Sequence, residues 1–143
     1  SIELPAGGLP IILDGNQMSG YHGQSHHGKD PEVVDELVRI EQMHIRSLEK
    51  FIARLKGIVD DDAFLFDRTQ ILFGSGMGNG SSHSNKNLPV LLAGGDLRHT
   101  GKDLIFDQGE TPLSNVFVTM LQKLGIEAEQ FAGSTGNINN ELA

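Results

Sequence analysis

The clearest pattern in the chain runs from Asp30 to Gly57. Apolar or half-apolar positions recur at Val33, Leu37, Ile40, His44, Leu48, Phe51 and Leu55. The steps are three and four residues, the mark of a helix that turns one stripe toward a core. Asp30 stands as the N-cap, Pro31 takes the first helical position, Glu32 makes the first turn acidic, and Lys56-Gly57 closes the element. A long helix over 30–57 is therefore predicted. A second helix over 111–125 opens at Thr111-Pro112, sets Leu113, Val116, Phe117, Met120, Leu121 and Leu124 on one face, and stops at Gly125.

Between these helices the period changes. After the acidic turn Asp60-Asp61-Asp62 come two brief apolar runs without alternation, Thr69 to Phe73 and Leu88 to Ala93, the second ending at Gly94-Gly95. Such runs read as buried strands of a parallel sheet covered on both faces. Leu104-Ile105-Phe106 adds a candidate third strand, so residues 69–106 are expected to hold the strands and a site loop. Residues 1–29 read as loop with one short strand at Leu9 to Leu13, and residues 126–143, Gly- and Asn-rich from Phe131, read as a tail. No internal repeat is present. The expected fold is an α/β domain spanning 1–143, with few parallel strands flanked by helices. So thin a sheet predicts that the rest of a longer precursor, or a partner chain, completes the core.

Charge and composition narrow the function. With 11 Lys+Arg against 19 Asp+Glu and a formal net charge of -8, the scattered basic residues make no phosphate-binding face, which argues against nucleic acid. No apolar run approaches the ~20 residues of a membrane span. The absence of cysteine excludes disulfides, thiolate metal sites and cysteine nucleophiles. The chain begins at Ser1 with no secretory leader ahead of the folded pattern, which is expected if a targeting segment is absent or already removed.

The histidines carry the candidate chemistry. Three of six fall in Tyr21-His22-Gly23-Gln24-Ser25-His26-His27-Gly28, and His83 lies in the polar loop after the first central strand. His22 and His26 share a face on any helical turn, and His27 adjoins them. Imidazole is the commonest metal ligand at neutral pH, so His22, His26, His27 and His83 are the candidate ligands of zinc or another divalent metal. Asn85 or Asp14 is available to contribute oxygen. Histidines in glycine-rich loops are equally often solvated polar residues with backbone partners. His44, on the apolar stripe, reads as a part-buried core histidine, and His99, near Arg98 and Lys102, as surface. Ser25 lacks a G-x-S-x-G elbow and reads poorly as a nucleophile. Gly74 to Gly80 lacks the Lys-Ser/Thr ending of a phosphate loop and reads as a flexible site edge.

The string His22-Gly23-Gln24-Ser25-His26-His27 resembles the signature of the HXXSHH family of uncharacterised bacterial proteins. The likeness continues through the long helix, Gly74-Ser75-Gly76-Met77-Gly78, His83, Leu88 to Gly95, Thr111-Pro112-Leu113-Ser114-Asn115 and Phe131-Ala132-Gly133-Ser134-Thr135-Gly136. It corresponds to the C-terminal part of a family member, and implies an extracytoplasmic (periplasmic or secreted) location. A more distant likeness is to the C-terminal half of the alkaline phosphatase and sulfatase superfamily, which implies an alkaline-phosphatase-like sandwich. There a metal-ligand pair precedes a helix, an Asp-His pair ends the next strand, and another His follows. Here His22 and His26 stand at the first pair and His83 at the last, but Gly76-Met77 stands where the superfamily has Asp-His. A two-zinc phosphatase site therefore does not carry over.

Two functions follow as expectations. One is a metal-binding, hydrolase-like domain built on His22, His26, His27 and His83, in which a metal activates water and polarises a phosphate, sulfate or ester oxygen. The other is a catalytically inactive structural or accessory subunit of a larger complex, toward which Gly76-Met77 points.

Overall fold

The computed structural model describes residues 11–13, 15–18, 20–95, 97, 103–106 and 111–142. The chain divides into two compact units, one of residues up to Arg54 with Gly76–Asn85, the other of Leu55–Ser75 with the residues from Lys86 on.

In the first unit, β1 (Ile11–Leu13) and β2 (Asn16–Met18) form a tight antiparallel hairpin in register Ile11↔Met18. A five-residue helix, α1 (Tyr21–Ser25), follows, and then α2 (Pro31–Lys56), whose last two residues belong to the second unit. α2 starts as its sequence dictates: the Asp30 carboxylate accepts the Glu32 N–H at 3.0 Å, and the Asp30 carbonyl accepts that of Val34 at 3.0 Å. Ile40 is fully buried at its centre, with Val33, Leu37, His44 and Leu48 half-buried along the same stripe. Phe51, expected on that stripe, is 44% exposed.

In the second unit, β3 (Val59–Asp60) and β4 (Ala63–Phe64) close a two-residue hairpin through Asp61-Asp62. Arg68, on the 3₁₀ turn Leu65–Arg68, ties that hairpin down by reaching Asp62 at 2.8 Å and Asp60 at 3.4 Å. β5 (Ile71–Gly74) and β6 (Val90–Ala93) pair antiparallel, Ile71↔Ala93 through Gly74↔Val90. Gly94, at φ +76, ends β6 against this 3₁₀ turn, where a Cβ would press on the Thr69 carbonyl oxygen and come within 2.9 Å of the Phe66 oxygen. No other residue type takes that conformation and that approach together. α3 (Ser114–Lys123) buries Asn115, Val116, Val118 and Thr119, and Gly125 at φ +77 terminates it.

These pairings correct the expected architecture. Every strand pair among the described residues is antiparallel and two-stranded, so a parallel sheet flanked by helices, and with it the alkaline-phosphatase-like sandwich, is overturned. A parallel pair needs a crossover of a dozen or more residues, usually a helix, and the stretch between β5 and β6 contains none. Leu104–Phe106 is not a strand. The region from Phe131 is not a free tail either: Ile138 is 2% exposed, and Thr135, Ile138 and Asn139 are hydrogen-bonded to α3. No helix among the described residues is long and apolar enough to cross a membrane.

Candidate metal centre

The first unit brings three of the four candidate ligands together. α1 presents two faces. Tyr21 and Gln24, three residues apart, turn toward α2. The Tyr21 hydroxyl donates to Glu41 at 3.3 Å, its ring meets His44 edge-on at 5.5 Å, and the buried Gln24 amide donates to Glu36 at 2.9 Å. His22, and His26 at the helix's C-cap, lie together on another side, with ring centroids 4.9 Å apart. Burial first, and then the Glu41 carboxylate beside it, raise the Tyr21 phenol above its ordinary value of 10.0.

His83 arrives on the 76–85 loop. That loop is closed on itself: the Ser84 carbonyl accepts from Gly78 at 2.9 Å and Asn79 at 3.3 Å, and the Asn79 carbonyl accepts from Ser84 at 3.0 Å. The Asn79 side chain also accepts the Ser82 N–H at 2.9 Å. Within this frame His83 holds a left-handed backbone, φ +51, at a cost of roughly 1 kcal/mol or more that the surroundings must offset. Gly80 allows the approach to α1, since a Cβ there would stand 2.9 Å from that of Ser25.

The result is a triangle of imidazoles. Nε2 of His83 lies 3.0 Å from Nε2 of His26, and the His83 ring is 4.8 Å from that of His26 and 6.2 Å from that of His22. One donor nitrogen from each of the three falls within 4.8 Å of the others, and all three side chains are exposed. Two nitrogens on one tetrahedral zinc at ~2.0–2.1 Å stand roughly 3.3 Å apart. The His26–His83 pair meets this spacing, and the widest pair, at up to 4.8 Å, exceeds it. Between two Nε2 atoms this close, either one carries a proton that the other accepts, or a cation takes the proton's place. Three imidazoles without thiolate suit borderline ions such as zinc, copper and nickel rather than magnesium or calcium.

His27, the fourth candidate, is not among the three converging rings, and its Nδ1 accepts the Lys29 N–H at 3.0 Å in the turn that leads into α2. Asn85 is exposed on the loop, while Asp14 and His99 lie outside the described residues. His44 is half-buried against Tyr21, and Ser25 donates to the His22 carbonyl at 2.8 Å. Sequence reasoning missed Gln24 and Gly80. The signal for the first was its three-residue step from Tyr21, which places it on the face opposite the histidines. Comparison of the chain with protein-family models, with curated proteins and with solved structures found no match.

Proposed function

We propose that His22, His26 and His83 bind one divalent transition metal, zinc foremost, and that the chain is a metal-dependent, hydrolase-like domain. The observation that carries this reading is the convergence of three donor nitrogens within 4.8 Å from segments 57 residues apart in sequence. Three histidines leave a fourth position of a tetrahedral ion open, the arrangement of catalytic rather than closed structural zinc sites. Once bound, such an ion supplies Lewis-acid polarisation of an ester oxygen and a water nucleophilic near neutral pH. The chain's own part is to aim the rings: Gln24 and Tyr21 hold α1 on α2, and the Asn79–Ser84 bridge holds the loop that carries His83. The resemblance of residues 22–27 to the HXXSHH signature extends the proposal to that family and to an extracytoplasmic setting.

Metal analysis after zinc loading tests the site. One equivalent is expected in the native chain and none after His22→Ala, His26→Ala or His83→Ala. Turnover of nitrophenyl phosphate, sulfate and acetate esters by the loaded chain tests the chemistry. The competing reading is a catalytically inactive structural or accessory subunit, in which the three exposed rings hold a metal without turning over an ester. Stoichiometric zinc with no hydrolysis of any ester would select it.

A further inference from the structure

The 76–85 loop is braced from within by the bonds among Gly78, Asn79 and Ser84 and by that from the His83 N–H to the Gly80 carbonyl at 3.3 Å. It meets α1 at the contact of Gly80 on Ser25 and at the histidine rings. The first is a fit, with no room for one more carbon. The second is a set of exposed imidazoles, one of them on a strained backbone. Hydrogen bonding between exposed rings competes with water and is weak, whereas three lone pairs on one ion are not. Bringing together residues 57 apart also carries a loop-closure cost that grows with the logarithm of the separation and must be offset locally.

We propose that the metal is a clasp between α1 and the 76–85 loop, and that the Ser25–Gly80 contact is the seat that sets its register, so that loop order and metal occupancy are one equilibrium. This rests on the metal reading above and adds to it. Ser25 and Gly80 become positioning residues that touch no metal. Ser25 sets the register through its Cβ against Gly80, while its hydroxyl donates to the His22 carbonyl within its own turn. A ligand that binds only the closed arrangement must stabilise it by mass action, so zinc orders the loop and the loop's fit sets zinc affinity.

The test uses the whole chain and zinc ion alone, reading zinc affinity by competition with a chromophoric chelator and amide exchange by mass spectrometry. Saturating zinc is expected to slow exchange across residues 78–84 about tenfold or more. Gly80→Ala keeps every ligand and a backbone that alanine tolerates, yet is expected to lower zinc affinity about tenfold, the scale on which supporting residues act at metal sites. Ser25→Gly combined with Gly80→Ala removes the clashing atoms and is expected to bring affinity back to within about threefold of the native chain. Rescue of this kind separates a register effect from general damage, which a second substitution would only worsen. Zinc binding with unchanged exchange in the loop, native affinity in Gly80→Ala, or no recovery in the double variant would each overturn the clasp and leave the metal site standing. Failure of the native chain to bind zinc would overturn both.

Discussion

α1 with the 76–85 loop, in the first unit, and α3 with residues 131–142, in the second, meet the same physical problem. In each, a short helix must hold a glycine- and asparagine-rich segment that has too little apolar surface to hold itself. α3 does it with amides and hydroxyls. Asn115 exchanges two hydrogen bonds with Thr135, at 2.8 and 3.2 Å, Thr119 accepts the Ile138 N–H at 2.8 Å, and Gln122 accepts from Asn139 at 2.7 Å. Asn115 and Thr119 are 6% and 0% exposed. Donors there meet acceptors around buried Asn115 and Thr119, and one buried oxygen of the row, Asn139 Oδ1, is left over. α1 does it with imidazole against imidazole, all exposed. Two Nε2 atoms at 3.0 Å complete each other only by sharing one proton, and a third ring beside them has no such partner in the pair. A polar tie that is buried and matched is structure; one that is exposed and can turn three ring lone pairs toward one point is a place for a cation.

The harshest way to break this contrast is to remove a donor. His26→Ala is expected to lower zinc affinity by at least about 100-fold, while stability without metal changes by no more than about 0.5 kcal/mol, because the ring is exposed. Chelator competition and urea melts in the same buffer measure the two halves. A large loss of metal-free stability would mean that the imidazoles are a finished tie after all. The mirror change is Asn115→Leu. It leaves the Thr135 N–H and hydroxyl without their partner in a part-buried setting and should cost about 1–3 kcal/mol in urea unfolding. Zinc affinity should stay within about twofold. A neutral Asn115→Leu would show that the C-terminal segment is held by Ile138 and Phe131 packing rather than by the polar row.

How legible these regions were in the sequence follows the same division. α2 was readable almost to the residue because some seven turns of apolar spacing accumulate a signal that no single exception can erase. Phe51 is exposed, yet the helix stands. The histidine centre was readable in part: the four-residue step predicts that His22 and His26 share a side, and a polar strand-end loop is a reasonable source for His83. His27 stands apart from the three converging rings, since adjacency in sequence puts neighbouring side chains on different sides of a turn, and its Nδ1 accepts the Lys29 N–H. Strand direction was not readable from β5 and β6 themselves, because a four-residue apolar run carries no polarity. The glycine- and serine-rich connection between them, with no helical period, was the usable sign of an antiparallel pair. Around α3 the eye goes to the apolar positions, but Leu124, its C-cap, is 58% exposed while Asn115 and Thr119 are buried. The informative pattern was polar, at Asn115, Thr119 and Gln122, spaced to face one side of the helix.

A gentler cut sharpens the contrast inside the first unit. Gln24→Leu removes the amide that donates to Glu36 but no metal donor. It should weaken zinc binding about tenfold, equal to about 1.4 kcal/mol, by letting α1 shift on α2. His27→Ala, one residue beyond the triad, should change it less than about threefold. If the two variants behave in the opposite order, His27 is a ligand and the triad is wrongly composed.

The smallest effect is read from Tyr21, the chain's single tyrosine in a protein without tryptophan, so that the ultraviolet tyrosinate band belongs to this residue alone. Burial and the Glu41 carboxylate raise its phenol above 10.0. A group that holds its proton more tightly folded than unfolded contributes stability that is intact below pH 10.0 and is lost as pH climbs through the raised value. The native titration midpoint should therefore lie above 10.0, return to it in urea, and move only part of the way down in Glu41→Gln, because the charge leaves while the burial remains. Tyr21→Phe should remove this alkaline sensitivity at the expense of one exposed hydrogen bond, a fraction of a kcal/mol, on the order of 0.5. A native midpoint at the ordinary value would mean that Tyr21 is not seated on α2. The first unit would then lack the self-sufficient contact from which α1 aims its histidines.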